Sequence, residues 1–331
     1  MEKHEYKNTA DSLRPHMAER MDESTLIFFA KELTSINKKA YDVKCPEILA
    51  RRLFPYSNEA DPGATSIDYY QFDHVGLAAV VSNYADDIPC VDLTGKLFSA
   101  PVRELALSYK FSVKEARSAA MARRPLRAMK ALACRKGILR KEHNIAMFGH
   151  DETGLPGFLS NPNITLQTAA DNGAGSTDWD DKTPDQILAD LSAGVETIQD
   201  LTEGVENPNT LLLPVKKLAK IKNTRMTGGS DTTVYKFFLD NNPQITEVLA
   251  VPELKEPSGG WSAWNSSLPF SETDLMVFYD RNPEKLTMEV ASDFEQFAPQ
   301  VQNLVTKVNC MESFGGVHIH YPLSVLVVEG I

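Results

Sequence analysis

An α+β fold is expected from three features of the sequence. Residues 56–111 alternate apolar and polar positions as strands do. Residues 126–148 carry no helix breaker except Gly137. Beyond residue 161, short apolar runs alternate with amphipathic helical stretches.

The first 55 residues are mostly polar. Asp22 or Ser24 can cap one amphipathic helix bearing Leu26, Ile27, Phe28, Phe29, Leu33 and Ile36. After it, "YDVKCPEILARRLFP" reads as an extended arm, because Pro46 and Pro55 interrupt any long helix. This segment has too little apolar surface to fold by itself.

Within 56–111, "TSIDYYQF" and "RELALSYKFS" are the clearest strands, with Leu105, Leu107, Tyr109 and Phe111 on one face of the second. The stretch between them, rich in Gly, Asp and Pro, is too polar for a buried sheet. It is expected to be a long β-hairpin that projects from the body, and unpaired hairpin edges call for a covering partner.

"SVKE" at Ser112–Glu115 has the pattern of a capping box. Pro125 suits the first turn of a long helix running to Phe148, about 36 Å at 1.5 Å per residue. Gly149 is expected to cap it in a left-handed conformation. Leu126, Met129, Leu132 and Ala133 share one face, whereas Ile138, Leu139, Ile145 and Ala146 lie toward another. A helix apolar on two sides is gripped from two sides, as a structural spine is. Downstream, Thr183 caps a helix with Ile187, Leu188, Leu191, Val195 and Ile198 on one face. "NTLLLPVKKLAKI" reads as strand then helix, "DTTVYKFFLDNN" as helix, and "QITEVLAVPEL" and "DLMVFYDRN" as strands. The tail "FGGVHIHYPLSVLVVEGI" reads as two strands meeting at Pro322.

Composition narrows the function. The chain is 42% hydrophobic and 24% charged, as soluble proteins are. Its longest apolar run, Val75–Val81, falls far short of the ~20 residues that cross a bilayer. The N-terminus lacks the apolar centre of a signal peptide, so no membrane partner is expected. Cys45, Cys90, Cys134 and Cys310 show no ligand spacing and read as reduced thiols. The net charge of −11 conceals a basic segment: Arg103–Lys141 holds 12 Lys/Arg against two Glu, leaving −21 for the rest. Arg117, Arg123, Arg124, Arg127, Lys130, Arg135, Lys136, Arg140 and Lys141 suit either phosphates or an acidic neighbouring subunit. They surround the helix and have no aromatic residues between them for base stacking, so sequence-specific DNA reading is not expected.

Enzymatic signatures are sparse. There is no P-loop, dinucleotide fingerprint or nucleophile elbow. His318 and His320 share a strand face but have no evident third ligand. "DNGAGSTDWDD" (171–181) is acidic but lacks calcium-loop spacing. Trp261 and Trp264, in "GGWSAW", are either interface anchors or a cluster beneath a loop. No catalytic, cofactor or metal site is expected.

The order of these parts resembles the major capsid proteins of tailed phages, the Hong Kong 97-like fold shared with encapsulin shells. "ADDIPCVDLTG" (Ala85–Gly95) is similar to that family's extended loop. "FSVKEARSAAMARRPLRAMKALACRKGILRKEHNIAMFG" is similar to its spine helix, and "GLPGFLSNPNI" (Gly154–Ile164) to the turn after it. The resemblance implies an N-terminal arm over 1–55 and an extended loop with flanking strands over 56–111. A peripheral domain with the spine helix would follow over 112–160, then an axial domain over 161–300 and final peripheral-domain strands over 301–331.

It also implies subunit contacts through Asp86, Asp87, Pro89, Asp92, Arg123, Arg124, Arg127, Arg135 and Arg140. Gly149, Gly154 and Gly157 would form a turn between domains. The implied function is self-assembly into hexamers and pentamers of an icosahedral virion shell around double-stranded DNA, contacted non-specifically. A separate scaffolding protein, a portal and a cement or decoration protein are the implied partners. An encapsulin-type compartment and a soluble enzyme built on His318 and His320 are the alternatives.

Overall fold

The computed structural model describes residues 48–75, 90–122, 125–226 and 231–331. Helix α1 spans Ala50–Leu53, and strand β1 is Tyr56–Ser57. Strands β2 (Ser66–Val75), β3 (Asp92–Pro101) and β4 (Arg103–Ser112) precede helices α2 (Val113–Met121) and α3 (Leu126–Phe148). Strand β5 (Thr165–Thr168) leads to helix α4 (Pro184–Leu201), strand β6 (Thr210–Leu213), and helices α5 (Val215–Asn223) and α6 (Val234–Asn241). The remainder is strand: β7 (Glu247–Ala250), β8 (Leu275–Tyr279), β9 (Leu286–Gln296), β10 (Gln300–Gln302), β11 (Val305–Ile319) and β12 (Val325–Glu329).

Local chemistry accounts for the helix starts. Ser112 and Glu115 form the expected reciprocal cap on α2, and Thr183 and Gln186 form another on α4, with Pro184 in its first turn. Each satisfies two backbone amides that would otherwise lack a partner.

Two sheets carry the body. In the first, β11 lies antiparallel to β9 and β10 on one side and to β4 on the other, and β1 runs parallel beside β9. Helix α3 packs along this sheet. Cys134, Ile138, Glu142 and Ala146 recur every four residues, which keeps them on one helix face, and all are buried. The facing residues of β11, Val308, Cys310, Glu312 and Phe314, recur every two and are buried as well.

The second sheet has the order β5-β12-β8-β6-β7, with parallel pairs at both edges and antiparallel pairs between. It is buried on both faces, which is why its strands read as continuous apolar runs. Val277, Tyr279, Val325 and Val327 point into a core shared with α1, α3, β9 and β11. Met276, Phe278, Leu326 and Val328 point into the core beneath α4, α5 and α6.

Three expectations need correction. The two tail strands do not stay in one layer: β11 belongs to the first sheet, while β12 is inserted between β5 and β8 in the second. The turn at Pro322 is sharp enough to redirect the chain between layers. Conversely β9, placed within 161–300, pairs with β11 in the first sheet. Residues 48–54 are not extended arm either. Leu49, Ala50, Leu53 and Phe54 are buried, and the Leu53 carbonyl accepts a 2.7 Å hydrogen bond from the Tyr279 hydroxyl. Four apolar side chains within six residues anchor this stretch in the core.

The acidic loop over 171–181 also has a structural role. Trp179 is fully buried and donates to Asp190 at 2.9 Å, and Lys182 reaches the same carboxylate at 2.6 Å. Asp178 pairs with Lys217, and Asp180 with Lys220. Those lysines occupy the oxygens a cation would need. Trp261 is buried in the main core, while half-exposed Trp264 stacks on Phe148 at 4.9 Å.

Helix α4 approaches β8 so closely that a Cβ on Gly194 would lie 2.2 Å from the Phe278 ring. Gly194→Ala is therefore expected to cost about 2–3 kcal/mol by overpacking, measured as a lower urea midpoint with an unchanged slope.

Candidate assembly interface

The last turn of α3 is where the following chain folds back on the helix. A helix leaves its final four carbonyls without intrahelical partners, and here that end is buried. All four are satisfied. Ile145 O accepts from Gly149 N at 2.7 Å, and Ala146 O and Met147 O accept from Phe158 N and Leu159 N, each at 2.8 Å. Phe148 O accepts from Asn265 Nδ2 at 2.7 Å.

The chain doubles back to make these bonds, so Gly149 and Gly157 meet backbone to backbone. A Cβ on Gly157 would lie 2.0 Å from the Gly149 nitrogen. Gly149 has φ +71° as expected, but its ψ of −172° is extended rather than left-handed helical. Gly154 takes the left-handed conformation instead, closing the short 3₁₀ turn Asp151–Thr153. Phe158 and Leu159 are buried, and the chain then proceeds to β5 in the second sheet.

Strands β2 and β3 form a sheet of their own, in register from Ser66↔Pro101 to Val75↔Asp92. The hairpin thus begins earlier than expected, since "TSIDYYQF" is its first arm and not a flanking strand of the body. Its base is docked. Tyr69 stacks on Phe98 at 5.3 Å and sets its ring edge-on to His320 at 4.7 Å and His318 at 6.0 Å. Burial, then the neighbouring His320, pushes His318 down to about 4; burial also lowers His320. Two neutral imidazoles make an apolar seat for the tyrosine. No group of three His, Cys, Asp or Glu suited to a metal occurs among the described residues.

Farther along, Tyr70, Phe72, Leu93 and Leu97 are each at least half exposed. Tyr70 and Phe72 stack in parallel on the outer face, with ring centroids 6.0 Å apart.

The predicted contact residues divide. Asp92 opens β3 on the exposed hairpin and accepts a bond from Leu93 N. Arg127 is exposed in the first turn of α3, beside a groove lined by Phe111, Ala116, Ala120 and Ala131. Arg135 holds its guanidinium 5.8 Å from the Phe294 ring centre, a contact within the same chain. Arg140 is exposed one turn ahead of the buried end of α3. Asp86, Asp87, Pro89, Arg123 and Arg124 lie outside the described residues.

One cluster was missed by sequence reasoning. Arg51 of α1 binds Glu142 of α3 through two bonds of 2.9 Å, and its Nη2 also lies 2.9 Å from Asp293 of β9 and Glu312 of β11. One guanidinium therefore ties four elements together, with Tyr56 beside it at 5.5 Å. Glu142 and Glu312 are almost fully buried. Three carboxylates exceed what one cation neutralises. Burial, followed by the Glu142 carboxylate, pushes Glu312 up to about 9, so it holds a proton at neutral pH. Arg51 in turn holds Asp293 below the usual carboxylate range. No local pattern marks this cluster, because its partners are 91 to 261 residues apart.

The sign of the linkage follows. The folded state binds the Glu312 proton more tightly than the unfolded chain does. That contribution is complete below the ordinary glutamate range and is lost as pH rises toward about 9. Wild-type protein is expected to lose ~1–3 kcal/mol between about pH 6.5 and 9.5, while Glu312→Gln stays nearly flat over that window. Thermal melts across the two pH values check this; parallel curves would refute the buried proton.

The arrangement resembles known shells. Residues 76–331 match the family model for the major capsid protein. The fold matches the capsid of Myoviridae phage XM1 with a TM-score of 0.75 at 15% identity, over 91% of this chain and 98% of that one. It also matches the capsid of an empty GTA particle (TM-score 0.57, 12% identity, 88% and 93% covered). A virus-like particle from Pyrococcus furiosus gives a TM-score of 0.51 at 13% identity, with 84% and 91% covered. No curated protein sequence matches. With its two sheets, long helix α3 and separate two-stranded hairpin, the chain belongs to the major capsid protein family.

Proposed function

We propose that this protein is the shell subunit of a tailed-phage head, assembling into hexamers and pentamers around double-stranded DNA. The observation that carries the proposal is the β2–β3 hairpin. A two-stranded sheet is marginal alone in water, yet this one exposes Tyr70, Phe72, Leu93 and Leu97. Those side chains need apolar cover, and a neighbouring copy of the subunit supplies it in a closed shell.

The basic residues of α3 fit a second role. Arg127 and Lys141 are exposed on a segment whose charge opposes that of the remaining chain. They are suited to packaged phosphates or to an acidic neighbour. Gly149, Gly154 and Gly157 act as the turn between the spine and the second sheet, and Asp92 as part of the overlapping loop. A separate scaffolding protein, a portal and a cement protein complete the proposed particle. No catalytic step is assigned to the subunit.

Tyr69 and Phe98 are cross-strand partners, so Asn-Gly can replace residues 70–97 and close a short hairpin there. The shortened protein is expected to stay folded by circular dichroism and to form no closed shells by negative-stain microscopy. Normal particles would overturn the overlapping role. In the doubly reversed variant R127E/K141E, shells that form normally but retain less DNA support phosphate contact, whereas failed assembly without DNA supports a subunit contact. Particles filled with a protein cargo and devoid of DNA would favour an encapsulin-type compartment instead.

A further inference from the structure

Two of the cysteines, 176 residues apart in the sequence, meet in the fold. Cys134 lies on the sheet-facing side of α3, and its sulfur donates to the Leu107 carbonyl at 3.5 Å. Leu107 is the direct cross-strand partner of Cys310 in the β4–β11 pairing. The two residues belong to the same small apolar cluster, with Tyr109, Ile138 and Val308 around them. Close approach of the layers at this point is independently marked by Gly137, where a Cβ would lie 2.8 Å from Leu107.

We propose that Cys134 and Cys310 are a latent disulfide that a peroxide closes, tying α3 covalently to β11. Burial, then the adjacent Cys310, pushes the Cys134 thiol up to about 12, which keeps the pair reduced and slow to react in a reducing cell. Their exposures of 4% and 1% restrict the oxidant to a small molecule such as hydrogen peroxide.

In the first step one thiolate attacks the peroxide. An S–O bond forms, the O–O bond breaks, and the departing hydroxide takes up the thiol proton as water. The second sulfur then attacks the sulfenic sulfur. The S–S bond forms, the S–O bond breaks, and the second hydroxide leaves with the remaining thiol proton, again as water. The two cysteines together lose two electrons and the peroxide gains two. The link would span the boundary between spine and sheet, where Tyr109, Ile138 and Val308 already pack. This inference concerns the single subunit and does not rest on the shell reading.

The test uses the full chain, purified with reductant, then freed of it and exposed to hydrogen peroxide. Remaining thiols are blocked with N-ethylmaleimide and the protein is digested without reduction. A linked peptide pair joining Cys134 to Cys310, about 2 Da lighter than the two thiol peptides together, is expected. The melting temperature should rise by about 5 °C and return on adding dithiothreitol. Cys310→Ala should abolish both changes. Recovery of both residues as blocked thiols, as sulfinic acids, or bridged to Cys45 or Cys90 would overturn the proposal.

Discussion

A buried helix end must find partners for its last carbonyls, and the closing of α3 sets the course of the whole chain. Because Phe148 sits in the core, water cannot satisfy that end. The peptide has to return over its own final turn, and two glycines allow the return without a steric clash. Once Phe158 and Leu159 are fixed against α3, the position of β5 and hence the start of the second sheet follow. Asn265 brings the 260s loop to the same point, which places Trp261 and Trp264 against Phe148.

The Arg51 cluster performs a related task at longer range. Pairing buried carboxylates with a cation seldom adds much net stability, because desolvation offsets the attraction. What the cluster contributes is registration. Helix α1, helix α3 and strands β9 and β11 can share one guanidinium only when all four are correctly aligned. An apolar contact would tolerate a sliding error that this geometry does not.

Legibility from sequence followed the range of the interactions. Local signals were clear: the capping box at Ser112, the cap at Thr183, Pro125 and Gly149 bracketing α3, and the runs "TLLL" and "LMVFY" buried on both sides. Strand β9 could have been found from the alternation of Leu286, Met288 and Val290. The separation of β11 from β12 could not, since both are apolar and a turn at Pro322 is compatible with one sheet or two. The hairpin's true first arm was equally hidden, because pairing of β2 with β3 depends on residues that contact each other only after folding. For the proposed contact surface, the structure adds the exposed aromatic pair Tyr70 and Phe72, while Arg135 is engaged within the subunit.

The positions of β11 and β12 have a consequence for synthesis. Each is an interior strand of its sheet, yet each is made after its neighbours. A ribosome that has delivered the first 300 residues has delivered two sheets with empty central slots, and neither can close. Chains interrupted there are left with exposed strand edges, which are prone to aggregate. The last strands made thus lock both layers at once.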